Sequence, residues 1–262
     1  VGTPTQEKMV EEVSTPEETV SQTPAAAQEE TAIVASGTCG NDLTWTLDSA
    51  GTLTISGTGA MSDYSNSYAP WYSNCSSITS AVIEDGVTSV GSFAFEDCSN
   101  LTSITIGSSV TNIKEYAFKY CSSLTSVEIS DSVKIIGAHA FYECSSLVSI
   151  EIPAGVSTIG NSAFYNCANL TEIEVDSQNA YIASSEGVLF HKGMEELICY
   201  PCGKVGSYAI PSGVTSISSY AFYNCSNLTS ITIPDSVTNI GWDAFYNCSS
   251  LTSVIIPDSV TN

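Results

Sequence analysis

The sequence has very little positive charge. Its 262 residues include 28 acidic side chains but only six basic ones, all lysine, which gives a formal net charge of −22. A surface that binds nucleic acid or anionic lipid must neutralise phosphates with Lys or Arg. We therefore expect no nucleic-acid partner and no electrostatic attachment to a lipid surface.

Long apolar runs and catalytic motifs are also lacking. No run reaches the roughly 18 apolar residues that a spanning helix needs, so this segment is not expected to insert into a membrane. Phosphate-binding glycine loops and zinc-protease motifs are absent. The only histidines, His139 and His191, do not combine with Ser and an acid. The sequence predicts no catalytic residue, no metal site and no cofactor, and hence no enzyme.

The first 36 residues differ in composition from the rest. Residues 1–36 contain seven Glu, one Lys and three Pro but no aromatic residue. Such a stretch buries too little apolar area to offset the entropy lost on ordering. We predict a disordered, acidic Thr/Pro/Glu-rich linker, with a short helix over residues 8–13 as the alternative. The start at Val1, without Met or an apolar leader, fits a processed N-terminus.

A 23-residue period dominates the remainder. Its clearest marker is an Ala-Phe pair, at Ala94-Phe95, Ala117-Phe118, Ala140-Phe141, Ala163-Phe164, Ala221-Phe222 and Ala244-Phe245. Within residues 101–121, alternating Ile104 and Ile106 predict a strand. A second short strand and one helical or 3₁₀ turn complete the unit. One copy has a single apolar face, so copies must stack to bury it.

These features predict an α/β solenoid of about eight rungs over residues 71–262, truncated within a repeat. The first strands of successive rungs would pair in parallel, with short strands and helical turns on the other sides. The predicted strands cover residues 78–83, 101–106, 124–129, 147–152, 170–175, 205–210, 228–233 and 251–256. Residues 43–55 alternate about a Ser-Ala-Gly turn, which predicts a hairpin cap within residues 37–70.

The repeat unit resembles a known family. Residues 233–251 read I-P-x-x-V-T-x-I-G-x-x-A-F-x-x-C-x-x-L, a form similar to the BspA-like leucine-rich repeat proteins. Residues 36–60 also resemble the segment that precedes such repeats in secreted proteins of anaerobic bacteria. The resemblance implies a curved leucine-rich repeat solenoid with the parallel strands on its concave face. It also implies that the protein is secreted or displayed on the cell surface and acts in adhesion or ligand binding. It supplies neither a catalytic motif nor a fixed ligand.

Cysteines recur with the same period, as Cys75, Cys98, Cys121, Cys144 and Cys167. Because equivalent side chains of a parallel stack point the same way, we expect reduced, buried thiols that act as small apolar groups. Cys202 lies 23 residues before Cys225, but the core pattern indicates that this spacing is a coincidence. Cys199 and Cys202 form C-x-x-C, read as a local disulfide or two packed thiols, with a redox or metal role as the alternative.

The outward positions of the predicted concave strands give the best functional indication. Serine recurs at the third position, and glutamate occupies the fifth position on three successive rungs. The candidate ligand-binding residues are Ser103, Thr105, Ser126, Glu128, Ser149, Glu151, Glu172, Glu174, Ser230 and Thr232. Stacked like charges cost some tenths of a kcal/mol per pair. They are read either as a solvated, tolerated column or as a site for a basic protein segment or Ca²⁺.

One unit is stretched by 12 residues between Phe164 and Phe222. Residues 176–204 predict a projecting hairpin, either a structural variant or a recognition element that presents Tyr181, Phe190 and Tyr200. Taken together, the sequence predicts a secreted or cell-surface module that binds a protein or glycan of a host or neighbouring cell. The alternative is a spacer that holds another domain away from the cell envelope.

Overall fold

The computed structural model describes residues 1–2, 31–65 and 68–262. Most of the predicted linker, including the alternative helix over residues 8–13, lies outside the described residues. The linker ends earlier than the predicted residue 36, because residues 33–36 belong to strand β1 (Ile33–Thr38). The backbone of β1 pairs antiparallel with β2 (Asp42–Asp48). Composition alone did not reveal this partner.

Strands β2 and β3 (Thr52–Ala60) form the hairpin that the alternation predicts. Leu43, Trp45 and Leu47 of β2 are buried. At the turn, the Asp48 carboxylate accepts the N–H groups of Ala50 and Thr52 at 2.9 and 2.8 Å. The first half of β3 pairs in parallel with the strand Ser80–Ile83 of the stack, and its end pairs with the strand Val87–Val90. The role of residues 37–70 as a cap remains a prediction.

The solenoid contains two rows of short strands. The first row is β4 (Ser80–Ile83), β6 (Ser103–Ile106), β8 (Ser126–Glu128), β10 (Ser149–Ile152), β12 (Glu172–Val175), β16 (Gly206–Ala209) and β18 (Leu228–Thr232). The second row is β5 (Val87–Val90), β7 (Asn112–Ile113), β9 (Ile135–Ile136), β11 (Thr158–Ile159), β15 (Glu196–Cys199), β17 (Ser216–Ile217) and β19 (Asn239–Ile240). Neighbouring strands pair in parallel within each row, except between β8 and β10 and between β12 and β16 in the first row, and between β11 and β15 in the second.

The stack has about seven turns rather than eight. Residues 251–256 are predicted as the eighth first-row strand but form none, and Ile255 is 83% exposed. This segment has a neighbouring rung on one side only in the structure, so fewer contacts hold it in an extended form.

The third side of each rung consists of turns, not the predicted helical turns. Among the described residues the helical element is one 3₁₀ helix, Tyr72–Ser77. In the unit quoted above, Tyr116 and Tyr120 adopt left-handed conformations, with φ of 57° and 62°. The Phe118 N–H donates to the carbonyl of Ala140 in the next rung. Hydrogen bonds to the next rung alternate with i→i−3 bonds inside the turn, such as that from the Lys119 N–H to the Tyr116 carbonyl, so the unbroken series of bonds that a helix needs does not form. We call this side the turn side.

Core positions follow the repeat as predicted. The eight apolar residues of one unit are all buried, namely Leu101, Ile104, Ile106, Val110, Ile113, Ala117, Phe118 and Cys121. Phenylalanine rings stack from rung to rung, with centroids of Phe118 and Phe141 5.2 Å apart and Phe141 and Phe164 5.7 Å apart. The interior is a ladder of side chains that divides into two core clusters at the stretched unit.

The stretched unit contains the predicted antiparallel hairpin but does not project. Strand β13 (Ile182–Ser185) pairs with β14 (Val188–His191), which pairs with β15. The Ile173 N–H in β12 donates to the Gly187 carbonyl at 2.9 Å. The hairpin therefore packs beside β12, and its apolar residues complete the core.

Asn179 anchors the start of this unit. It is 1% exposed and sits where other rungs carry valine. Its amide nitrogen donates to the carbonyls of Pro153 and Val156 at 3.0 and 2.8 Å. Its oxygen accepts the N–H groups of Tyr181 and Ile182. One buried amide thus satisfies four backbone groups where the chain leaves the regular repeat.

The cysteine ladder is mostly, but not entirely, reduced. Eight cysteines are free, at positions 39, 121, 144, 167, 199, 202, 225 and 248. Cys75 and Cys98, on neighbouring rungs, form a disulfide with a Cα–Cα distance of 4.4 Å, so the expectation of reduced thiols is wrong for this pair. The parallel orientation of equivalent side chains does not keep their sulfur atoms apart. Burial raises the pKa of the Cys121, Cys144 and Cys167 thiols.

Candidate functional site

The predicted ligand-binding residues lie on the outward side of the first-row strands, here called the serine–glutamate face. All ten are exposed except Ser103, which is half-buried. Their alternation with buried residues such as Ile104 and Ile150 follows the two-residue period of a strand. The side chains that share a strand position therefore form a row along the stack that is exposed to solvent.

Strand register decides which of them are neighbours. Glu151 lies opposite Glu174, and Ser149 lies opposite Glu172, in the parallel pair β10–β12. Thr105 lies opposite Glu128 in the pair β6–β8, and its hydroxyl donates to the Glu128 carboxylate at 3.4 Å. Two like charges thus face each other directly, at a cost of some tenths of a kcal/mol.

The glutamate column is interrupted. Within the described residues, β8 and β10 do not pair, although they belong to successive rungs. Glu128 and Glu151 instead line an open groove of about 450 Å³ at this break, together with Asp131 and Asp176. Sequence periodicity indicated the two glutamates but not the two aspartates. The aspartates follow their strands at adjacent rather than equivalent repeat positions, because Asp131 aligns with Ser177 and Asp176 aligns with Pro153, so the 23-residue period carried no signal for them.

The charges of this groove are not neutralised by ion pairs within the described residues. Ion pairs there join Lys114 to Asp63, Lys119 to Glu96 and His191 to Glu196, all away from the groove. No cluster of three or more Asp, Glu, His or Cys in the described part of the chain has metal-binding geometry. The arrangement is an open acidic surface with hydroxyl neighbours, suited to electrostatic contact with a cationic partner.

The structure contradicts two of the three aromatic anchors predicted in the stretched unit. Phe190 is fully buried and Tyr200 is 2% exposed, whereas Tyr181 is 55% exposed. The Tyr200 ring stacks on Phe222 with centroids 4.9 Å apart. Tyr200 takes the place of the core phenylalanine in this rung. Because Phe190 and Tyr200 are both buried, neither ring can contact a partner.

The C-x-x-C pair does not form a local disulfide. Cys199 and Cys202 are both free, and the Cys202 sulfur lies 2.8 Å from that of Cys225. Cys202 thus belongs to the cysteine ladder, and its 23-residue spacing from Cys225 is not a coincidence. The inserted residues lie upstream of it, so the regular register has resumed by Cys202.

Sequence reasoning missed a row of aromatic side chains on the turn side. Tyrosine follows the core phenylalanine in four rungs, at Tyr142, Tyr165, Tyr223 and Tyr246. Tyr142 and Tyr165 stack with centroids 4.6 Å apart, and Tyr223 and Tyr246 stack at 4.8 Å. The recurring Ala-Phe-Tyr triplet was the available signal.

The two rows of parallel strands, with leucine-type core positions and little helix, define a leucine-rich repeat solenoid. The sequence pattern of the BspA type leucine-rich repeat region matches this chain in six copies, over residues 67–186 and 194–262. The chain belongs to this family.

Solved structures agree with that assignment. A leucine-rich repeat protein from Eubacterium ventriosum ATCC 27560 is 34% identical with a TM-score of 0.74, over 87% of this chain and 68% of that one. The pneumococcal vaccine antigen PcpA is 19% identical with a TM-score of 0.55, over 88% of this chain and 72% of that one.

A leucine-rich cell surface protein from Faecalibacterium prausnitzii A2-165 is also similar. It is 24% identical with a TM-score of 0.50, over 87% of this chain and 84% of that one. At such identities the likeness of this protein and of PcpA shows the fold alone. No curated protein matches the chain.

Proposed function

We propose that this protein is an extracellular binding module that holds a basic segment of a partner protein on its serine–glutamate face. The observation that carries the proposal is the convergence of Glu128, Glu151, Asp131 and Asp176 on one open groove. Solenoids of stacked repeats generally use such extended surfaces for binding. A binding role also accords with a sequence that nominates no catalytic residue.

Charge supports a basic rather than an acidic or neutral partner. The net charge of −22 attracts cations over distances set by the ionic strength. Carboxylates in an open groove can keep part of their hydration when a partner binds, which limits the desolvation cost, and arginine can engage them with two parallel hydrogen bonds. The neighbouring serine and threonine hydroxyls add hydrogen-bonding capacity for the backbone of a bound peptide.

Two observations support an extracellular location. The F. prausnitzii relative is described as a cell surface protein, and the surface here is rich in hydroxyl and amide groups rather than charges. None of the described residues forms a helix long and apolar enough to cross a bilayer.

Binding of an arginine-rich peptide to the full chain, measured by calorimetry at several salt concentrations, tests the proposal. The variant Glu128→Gln/Glu151→Gln/Glu174→Gln should weaken binding about tenfold, as expected for loss of a few exposed charge pairs. The matched control, Asp42→Asn/Glu115→Gln/Glu195→Gln, removes three exposed carboxylates elsewhere. It should retain most of the affinity.

Equal losses in the two variants would show that net charge alone attracts the peptide and would overturn the proposed site. A parallel glycan panel distinguishes the partner classes: a glycan bound in place of the peptide would replace the basic segment as ligand. If neither ligand binds, the spacer function predicted as the alternative gains support.

A further inference from the structure

The turn side carries a second aromatic column beside the tyrosines that follow the core phenylalanines. Phe93, Tyr116 and His139 occupy equivalent positions in successive rungs and stack face to face, with centroids 4.8 Å apart at each step. The next rung places Ser162 at this position, and Tyr220 and Asp243 occupy it after the stretched unit. The column of rings is therefore interrupted beyond His139.

This interruption opens a cleft on the turn side. His139, Tyr142, Tyr165, Tyr220, Tyr223 and Asp243 line it, with Ser162 where a ring is missing. The cleft has a volume of about 340 Å³, within the range of about 300–1,000 Å³ that is usual for small-molecule sites. The Tyr165 and Tyr223 rings lie 4.4 Å apart between centroids, and Tyr220 meets Tyr165 edge to face at 6.2 Å.

The same side of the solenoid already holds an ammonium group in an earlier rung. The Lys119 Nζ lies 4.8 Å from the ring centroid of Tyr120 and 5.5 Å from that of Tyr116. It also pairs with the Glu96 carboxylate at 2.8 Å. The Lys119 side chain is only 16% exposed. The Asp97 carboxylate also attracts this ammonium group, so aromatic rings together with two carboxylates hold a largely buried cation in this fold.

The cleft combines aromatic rings with one carboxylate and has no lysine in its lining. Four tyrosines, one imidazole and the Asp243 carboxylate surround it, while the equivalent position of Lys119 in the next rung is Tyr142. Among the described residues, the cation–ring contacts are all those of Lys119. The negative faces of the rings and the carboxylate favour a positively charged guest.

We propose that this cleft binds a quaternary alkylammonium group. A primary ammonium brings three N–H donors that each need an acceptor, and Lys119 directs one of them to Glu96. The cleft offers aromatic surface and one carboxylate, which suits a cation that has no N–H to satisfy. This site is separate from the serine–glutamate face and does not depend on the function proposed there.

Titration of the full chain with choline, followed by calorimetry, tests the inference. The uncharged isostere 3,3-dimethylbutan-1-ol has the same shape and should bind about tenfold more weakly, because it lacks the cation–π attraction. Comparable affinities for the two compounds, or no saturable binding of choline, would overturn the proposal.

Variants that copy residues from the chain's other repeats locate the site. Tyr220→Ser copies Ser162, and Tyr220→Phe copies Phe93, both of which already adopt left-handed backbone at the equivalent position. The serine variant should lose choline affinity about threefold and the phenylalanine variant should retain it. A loss of choline affinity in the phenylalanine variant as large as that in the serine variant would contradict recognition by the ring.

Asp243→Asn provides an independent test, because asparagine tolerates the left-handed conformation of this residue, with φ of 52°. Choline affinity should fall about threefold. The control Glu195→Gln removes one exposed carboxylate outside both proposed sites and should leave choline binding unchanged. An equal loss in the control would mean that the net charge, not the cleft, attracts choline.

Discussion

The serine–glutamate face and the turn side repeat with the same 23-residue period but use it differently. The strand ladder beneath the serine–glutamate face is broken twice, after β8 and after β12. On the turn side, Asn224 donates to Asn166 at 3.0 Å across the stretched unit, and Asn247 continues the contact to Asn224 at 2.8 Å. Stacked rings and amides therefore connect rungs where strand pairing does not.

We attribute stability to the core and the turn side, and we propose recognition for the exposed serine–glutamate face. Side chains on the turn side and in the core contact their equivalents in neighbouring rungs, so each substitution there affects at least two interfaces. The outward residues of the first-row strands make fewer contacts with their neighbours. The acidic groove on this exposed face is the proposed binding site.

The largest effect should come from a break in the core ladder. Phe141→Ala removes a ring that stacks on Phe118 and Phe164, and we expect the free energy of unfolding to fall by about 3–5 kcal/mol. Urea denaturation measures it. Ser149→Ala, on the exposed face, should stay within about 0.5 kcal/mol of the parent. A loss below about 1 kcal/mol for Phe141→Ala would refute the ladder as the main source of stability.

Loss of the buried amide at the start of the stretched unit should have the next largest effect. Asn179→Ala leaves two carbonyls and two N–H groups without this partner, at a cost of about 1–3 kcal/mol. Exposed Asn169→Ala is the control, and equal stability of the two variants would show that water replaces the amide.

The exposed face should respond in the opposite direction. The Glu128→Gln/Glu151→Gln/Glu174→Gln variant removes the facing charges of Glu151 and Glu174 and should gain some tenths of a kcal/mol. Because the effect is electrostatic, the gain should shrink as salt is added. A variant that is less stable in low salt would show that these carboxylates have favourable partners.

The smallest effect concerns pH and the N-terminal hairpin. The Thr52 N–H and then the Thr31 hydroxyl stabilise the Asp48 carboxylate, which holds its pKa below the usual range. A lowered pKa adds stability above the unfolded value of about 3.9, and that stability is lost as the pH falls through the native pKa. The Asp48→Asn variant should melt below the parent at neutral pH, and the gap should close in acid. A constant gap would contradict this role.

Periodicity predicted the regular parts of the fold because one apolar face determines both the strand and its register. Ile104, Ile106 and Phe118 were assigned to the core from spacing alone and are buried. The turn side was misassigned, because the spacing of Ala117 and Phe118 fits a helical turn as well as a left-handed turn. Only the hydrogen bonds to the next rung distinguish the two.

The candidate sites were harder to predict. Exposure of the ten serine, threonine and glutamate residues followed from strand alternation, but the break after β8 and the approach of Asp131 and Asp176 did not. Phe190 and Tyr200 appear in the sequence as surplus aromatics of a stretched unit. Their burial depends on where the chain rejoins the ladder, which composition does not encode locally.

The most direct test of the proposed function is the affinity of the full chain for an arginine-rich peptide in two matched variants. We expect the Glu128→Gln/Glu151→Gln/Glu174→Gln variant to lose about tenfold and the Asp42→Asn/Glu115→Gln/Glu195→Gln variant to remain near the parent. The same affinity in both variants would contradict recognition at the serine–glutamate face.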